Sequence, residues 1–481
     1  MMSVNDKVQQ EMYVVTIEEL VPEEHLVRKI DKVIDFSFIR DLVKDLYCEN
    51  NGRPSIDPVV LYKIIIISKV FGINSIRKTI KEIEVNIAYR WFLRIGLTGK
   101  VPHFSTISTN YHRRKFHEKE IEKKIFAKIL SQAINHRLIK LEEVFADSTP
   151  VKANANKRKY VKAYINKVYR EYEQELMEAI NQDRIKHGLE PLKDKDDNGN
   201  NNTENPETID NNENRENLEV GSNNTEEKKK EIKQSTTDPE SGYFHKGEKE
   251  QCFAYTVTTV CDRNGFVLDC HVEAGNVHDS ISFFPLYNRM KEKPYSQEIW
   301  YWVMDSAYKT PAICKKLIDD GYIPVLPYKR PMTKKEYFKK YEYVYDEFYD
   351  CYLCPNNKVL KYKTTDRKGY RLYESNPEDC AACPLRFKCT NNKNNIKTVT
   401  RHVWANYVEE VDETRYKTYF NEIYNKRKET IERVFADGKE NHGLRYTRKR
   451  GRKKVEADVT LIFACMNLKK LAMWLSKPRM S

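Results

Sequence analysis

No apolar run among these 481 residues is long and unbroken enough to cross a bilayer. The best candidate, residues 59–73, is interrupted by Lys63, Ser68 and Lys69, whereas a span needs about 20 consecutive apolar positions. The opening residues, Met-Met-Ser-Val-Asn-Asp, lack the basic and apolar regions of a secretory leader. A cytoplasmic location without membrane contact is therefore expected. Glycine and proline are scarce, at 16 and 18, and charged and apolar usage is ordinary, so the chain is neither fibrous nor wholly disordered. Without a secretory context, the 11 cysteines read as buried thiols or metal ligands rather than disulfides. What is present is length, enough for roughly two to four domains of about 100 to 200 residues, and positive charge, +13 overall.

A positive field attracts nucleic acid or other anionic surfaces while saying little about fold. Its distribution is uneven. Residues 198–225 hold 11 asparagines in 28 positions and almost no aliphatic side chains, too little to offset ordering entropy, which predicts a disordered insertion. Residues 190–233 carry 13 acidic and 7 basic side chains, a net of −6, leaving +19 on the rest.

Apolar residues at spacings of three and four predict helices over 55–70 and 75–92, capped by Ser55 and Ser75 and separated by a turn at Gly72-Ile73-Asn74. Arg77, Lys78, Lys81, Arg90 and Arg94 recur on the second, and His112-Arg113-Arg114-Lys115 follows. Two helices, a tight turn and a basic face suit a helix-turn-helix DNA reader, or equally a solvated bundle surface. Beyond residue 143 the pattern changes. A short strand over 144–147 ends on Asp147, and a charged helix is expected over 158–187. A hairpin follows (253–260 and 265–272, turn 262–265), then a helix over 280–291, a strand over 299–304 and a helix over 310–320. This is a mixed α/β arrangement. Trp300 and Trp302 are expected to pack in the strand core.

Three acids occupy ends of elements: Asp147 and Asp305 after strands, and Glu432 in a helix over 424–436. Three converging carboxylates can hold two Mg²⁺ (or Mn²⁺) ions roughly 3.5 to 4 Å apart, an arrangement suited to in-line phosphoryl transfer. Singly, each acid has a plainer reading, helix capping for the aspartates and an exposed helix charge for Glu432. Helix capping is also the simpler reading of Asp279.

The surrounding runs carry a resemblance. Ala-Asp-Ser-Thr-Pro-Val-Lys-Ala-Asn-Ala-Asn (146–156), Gly-Tyr-Phe-His-Lys-Gly (242–247), Gly-Asn-Val-His-Asp-Ser (275–280), Met-Asp-Ser-Ala-Tyr (304–308) and Ile-Glu-Arg-Val-Phe-Ala-Asp-Gly-Lys-Glu-Asn-His-Gly (431–443) resemble the DDE transposases of bacterial insertion sequences, above all the insertion-sequence 1182 group. The resemblance implies an RNase H-like catalytic core with Asp147, Asp305 and Glu432 as catalytic metal ligands. It also implies cleavage at transposon ends, strand transfer into double-stranded target DNA, and a homodimer or higher assembly on DNA. Relatives carry a Tyr, Arg, Glu, Lys signature around the last acid. Tyr424, Glu432 and Lys439 supply three members, while Arg427 and Lys428 compete for the arginine's place. Glu432, Lys439 and Lys428 fall at helical intervals that would share one face, and Glu429 is the rival acid. His245 and Lys246 precede a strand, at a DNA contact or a plain surface turn.

The implied organisation is a helical DNA-binding region over 1–140 and a catalytic domain in three parts (141–189, 237–330 and 405–481). The asparagine-rich insertion (190–236) and a cysteine-rich insertion (331–404) interrupt that domain. In the latter, Cys351, Cys354, Cys380, Cys383 and Cys389 lie within 39 residues, and paired Cys-x-x-Cys steps suit a tetrahedral structural Zn²⁺ site. Five thiols compete for four places, and the resemblance favours Cys354, Cys380, Cys383 and Cys389. The remaining cysteines lie singly and suit core packing. Residues 445–454 contain seven basic side chains: Arg445, Arg448, Lys449, Arg450, Arg452, Lys453 and Lys454. Contact with a DNA backbone is expected there, before an apolar closing helix over 459–475. Two other readings share these features: a non-catalytic zinc-containing DNA-binding regulator, and a structure-specific nuclease that cuts without joining.

Overall fold

The computed structural model describes residues 14–48, 55–113, 120–165, 172–192, 230–246, 250–330, 333 and 336–476. Helical spacing in the first part yields α1 (Ile17–Leu20), α2 (Leu26–Val33), α3 (Phe38–Val43), α4 (Pro58–Val70), α5 (Ile76–Val85), α6 (Ile87–Leu93), α7 (Phe104–Arg113) and α8 (Ile121–Asn135). α4 is buried on almost every side, as befits a helix apolar all round. Its cap is Asp57, which accepts from Val59 N at 2.9 Å, rather than the expected Ser55. Pro58 follows at the first helical position, where its missing N–H costs nothing. The single helix expected over 75–92 is two. Asn86 leaves helical geometry, and its side chain caps α6 by accepting from Tyr89 N at 3.1 Å.

The expected basic face is partly consumed by the fold. Arg90 donates to the carbonyls of Glu84, Gly96 and Gly99, Arg94 pairs with Asp31 at 2.7 Å, and Arg77 lies over the Phe104 ring. Lys78 and Lys81 remain exposed on α5. Arg114 and Lys115, and the side chains of His112 and Arg113, lie outside the described residues.

The main sheet is built from β1 (Glu143–Lys152), β4 (Gly242–Lys246), β5 (Glu250–Asp262), β6 (Val267–Ala274), β7 (Tyr301–Val303) and β8 (Ile323–Val325). β4 and β6 pair antiparallel with successive stretches of one edge of β5, β1 pairs antiparallel with the other edge, and β7 and β8 continue in parallel. The hairpin forms as read. The charged helix expected over 158–187 does not: β2 (Tyr160–Ile165) pairs with β3 (Lys230–Ser235), and α9 spans only Glu173–Lys186. Of the asparagine-rich insertion, residues 193–229 lie outside the described residues, and the chain is already in β3 by residue 230. α10 (Asp279–Lys291) and α11 (Pro311–Asp319) complete this layer. Trp302 is buried in the core, whereas Trp300, expected beside it, is 61% exposed.

The cysteine-rich segment folds as a second antiparallel sheet: β9 (Val344–Asp346), β10 (Cys351–Leu353), β11 (Val359–Thr365), β12 (Tyr370–Ser375) and β13 (Thr398–His402), with α12 (Pro377–Ala381) between the last two. It has its own small core of Tyr343, Tyr352, Leu360, Tyr373 and Val399. α13 (Ala405–Glu413), α14 (Tyr419–Asn425), α15 (Ile431–Asn441) and α16 (Arg452–Leu475) follow. α16 packs on α2, α4 and α8 as well as on β6, so the helical region and the main sheet share one apolar core. No helix among the described residues is long and apolar enough to cross a membrane.

Candidate active site

Asp147 does not end its strand, as expected from the sequence; β1 continues through Lys152 because residues 144–152 all find partners on β5. On its other edge β1 pairs with β7 only over Glu143 to Phe145. Beyond Phe145 the two strands part, so Asp147 stands at the fork of the sheet. Asp305 follows two residues after β7 on the far side of this fork and accepts from Ala307 N at 2.6 Å, capping a short turn over Ser306–Tyr308. Strand end and cap are here the same place.

Burial pushes the Asp147 carboxyl up to about 6; the Arg427 guanidinium opposes this, and the charges of Asp305 and Asp279 add to it. The Arg427 side chain is only 8% exposed and donates through Nη2 to Asp147 Oδ2 at 2.7 Å, with Tyr424 beside it. Its Nε is buried with no partner. Thr259, the cross-strand partner of Asp147, shares its face, and the Thr259 hydroxyl is likewise buried and unpartnered.

Sequence reasoning missed Asp279. The cap of α10 is His278, whose Nδ1 accepts from Ser280 N at 3.2 Å. Asp279 instead accepts a hydrogen bond from Ser148, and its carboxyl is raised by burial. The Ser148 hydroxyl also meets Thr258 at 2.9 Å and the fully buried Tyr308 hydroxyl at 2.6 Å. Asp147, Asp305 and Asp279 all raise the Tyr308 phenol further above its usual range, after burial itself. The signal in the sequence was the adjacent His278, which supplies a cap and frees the acid.

Glu432 lies in the first turn of α15, which packs on β1, but its side chain is exposed. The helix expected over 424–436 is interrupted. Tyr424 belongs to α14, residues 426–428 form a separate turn, and Glu429 is exposed between the helices. Lys428 therefore does not share a helix face with Glu432 and Lys439; it is exposed, while Lys439 is half-buried on α15. Of the two rivals, Arg427 is paired with Asp147 and Lys428 is exposed.

The basic segment is equally mixed. Arg445 pairs with Glu440, Arg452 with Glu273 at 2.7 Å, and Lys449 lies over the Tyr111 ring. Arg448, Arg450 and Lys453 have no acidic partner within ion-pair distance among the described residues, nor has Lys454. His245 and Lys246 end β4 in exposed positions.

In the second sheet, Cys354 and Cys389 pack against the small core. Cys389 meets the Tyr343 hydroxyl at 3.1 Å, Cys380 donates to Ser375 Oγ at 3.1 Å, and Cys383 accepts from Asn356 Nδ2 at 3.5 Å. Cys351 is buried on β10. Among the described residues, no three His, Cys, Asp or Glu side chains stand close enough together to hold a metal ion. The thiols thus share a module without forming a ligand set, so the structure gives the expected zinc site no support. The charge of Asp305 acts on Asp147, and Glu432 does not join them in a group of three.

The Transposase domain (DUF772) family matches residues 15–113, spanning the helices α1 to α7. The Transposase DDE domain family matches residues 353–472, including Glu432 and the basic segment. Asp147 and Asp305 lie between the two matches. No curated protein and no solved structure matches the chain. A transposase family match toward either end of its length supports an insertion-sequence DDE transposase.

Proposed function

We propose that this protein cleaves DNA at the ends of its element and joins the freed 3′ ends to target DNA, with Asp147, Asp305 and Glu432 as the catalytic carboxylates. The observation that carries this reading is the fork between β1 and β7, which brings Asp147 and Asp305 within each other's field. An RNase H-like core is supported by the order β6-β5-β1-β7-β8, antiparallel through β1 and parallel beyond it. The unpartnered Thr259 hydroxyl and Arg427 Nε support a polar guest at Asp147.

Asp147 and Asp305 would hold a divalent ion, and α15 would bring Glu432 toward them; such an ion, Mg²⁺ or Mn²⁺, supplies activation of the attacking oxygen and charge relief at the leaving one. Until then, Arg427 keeps the partly buried Asp147 carboxylate neutralised. On release its guanidinium is placed to meet a backbone phosphate, a pairing for which its planar donors are suited. Exposed Lys428 and the free cations of the basic segment would steer the duplex toward the fork.

Purified protein, Mg²⁺ and transposon-end DNA should yield joined products, and Asp305→Ala should abolish both cutting and joining while duplex binding persists. Cutting without joining would point to the nuclease reading. Unchanged cleavage by Asp305→Ala would remove the catalytic assignment.

A further inference from the structure

Past Asp147, β1 leads to a polar hollow that no catalytic role accounts for. Its cavity of about 430 Å³ is lined by Asn154, Asn156, Lys159, Thr237, Tyr446 and Arg450, together with Ala155. We propose that this hollow binds a backbone phosphodiester of double-stranded DNA, and so fixes the register of the duplex relative to the fork; the proposal rests on the transposase reading.

The hollow is built rather than incidental. The basic segment is joined to the catalytic strand by main-chain pairing: Lys152 N donates to Arg445 O at 3.1 Å, and Thr447 N to Lys152 O at 2.9 Å. Asn154 then holds the wall from three sides. Its Nδ2 donates to Arg448 O at 3.1 Å, its Oδ1 accepts from the Tyr446 hydroxyl at 3.0 Å, and its carbonyl accepts from Arg450 Nε at 3.2 Å. Asn156 turns the chain by accepting from Arg158 N at 2.9 Å, and Thr236 N donates to Lys159 O at 3.2 Å. Two separate segments, 154–159 and 446–450, are thereby fixed against each other.

The chemistry of the lining is one-sided. No carboxylate lines it; amide, hydroxyl, phenol, ammonium and guanidinium groups do. The nearby acids each accept from a main-chain N–H, Asp238 from Gly451 N at 3.0 Å and Glu240 from Arg452 N, while the charge of Asp238 is also felt by Arg450. Arg450 is anchored only through Nε, which leaves its terminal nitrogens for a ligand, and Lys159 has no acidic partner within ion-pair distance among the described residues. Arg445 and Arg452, by contrast, are neutralised by Glu440 and Glu273. Of the cations of the basic run without an acidic partner among the described residues, Arg450 is the one that lines the hollow. A guanidinium and an ammonium among neutral donors suit a phosphodiester, and the volume falls within the range of about 300 to 1,000 Å³ typical of ligand sites, leaving room for the adjoining sugars.

The strand also sets a distance. Five residues from Asp147 to Lys152 at about 3.3 Å each span roughly 17 Å, or on the order of five base-pair steps at about 3.4 Å. The hollow opens beyond Lys152, from Asn154 onward, so a phosphate held there would lie at least that far along from the fork.

The test is duplex binding by the full chain as a function of salt, comparing the wild type with the double variant Lys159→Gln, Arg450→Gln. Lys159 and Arg450 would share the one phosphodiester, and a lost phosphate contact lowers the slope of log K against log salt by about 0.9, so a fall of about 0.9 is expected, with Lys159→Arg, Arg450→Lys retaining the wild-type slope. Lys368→Gln, in the loop between β11 and β12, should leave the slope unchanged. Phosphate ethylation should interfere with wild-type binding at a position at least about five base pairs from the cut and lose that effect in the double variant. An unchanged slope in a double variant of wild-type thermal stability would overturn the proposal. So would protection of the wild type by inorganic phosphate with no change in DNA binding, which would make the ligand a free anion. A wild type that binds no duplex DNA would instead overturn the transposase reading itself.

Discussion

Arg427 is held to Asp147 across 280 positions of sequence, and replacing it by methionine keeps much of its apolar volume while deleting the charge. With N and O atoms 2.7 Å apart, the charge centres lie about 4 Å from each other, which at an effective dielectric of about 20 corresponds to an attraction of about 4 kcal/mol. Removing one member of such a buried pair strands the other, at a cost of about 3 to 5 kcal/mol. The cost must depend on pH. The folded Asp147 carboxyl already sits at about 6, above its ordinary 3.8, and loss of the guanidinium raises it further. A carboxyl raised by folding stabilises the protonated protein, and that contribution is lost as pH rises through the folded value. Arg427→Met should therefore destabilise by roughly 3 kcal/mol more at pH 8 than at pH 5, where Asp147 takes up a proton. Urea unfolding followed by tryptophan fluorescence at both pH values gives the loss, and a double-mutant cycle with Asp147→Asn gives the coupling. Equal losses at pH 5 and pH 8, or a coupling below about 0.5 kcal/mol, would refute the assignment of Arg427 as the neutralising partner of a desolvated carboxylate.

The Asn441-His442-Gly443 stretch docks on the turn before α5: His442 Nδ1 meets Lys69 O at 2.8 Å, and a Cβ on Gly443, at φ +79°, would stand 2.0 Å from Asn74 Oδ1. Gly443→Ala should cost about 1 to 3 kcal/mol and lower the melting temperature clearly more than Gly188→Ala, which has a similar φ of +72° but open space around it. In the second sheet, burial holds His402 down at about 4 against its usual 6.5. A histidine depressed by folding contributes stability above pH 6.5 that is lost as pH falls to 4, so hydrogen exchange in β12 and β13 should accelerate across that window. His402→Gln should flatten this acid limb by about 1 to 3 kcal/mol; an unchanged limb would show that His402 is not the group responsible.

Local signals in the sequence were reliable where the structure is itself local. The hairpin turn at Asp262 to Gly265, the cap at Ser75 and the apolar spacing of α4 each depend on neighbours a few residues away. The misreadings occurred where the partner is remote. Tyr160 to Ile165 looks like the start of a charged helix until β3, beyond the asparagine-rich stretch, pairs with it. Asp147 looks like a strand end until β5 carries β1 five residues further. Asp279 looks like a cap because the proximity of Ser148 cannot be counted along the chain. The basic run looks uniformly free, yet Glu440, Glu273 and Tyr111 occupy three of its members.

By itself the sequence determined the composition of the surface field, the mixed α/β class and the motif runs around three acids, because these follow from residue type and short spacing. Tertiary structure alone decided which acids share a field, which cation pairs with Asp147, and which basic residues have acidic partners. Those are properties of distance in space, and strand pairing and core packing bring together positions more than a hundred residues apart with no periodic trace in the chain.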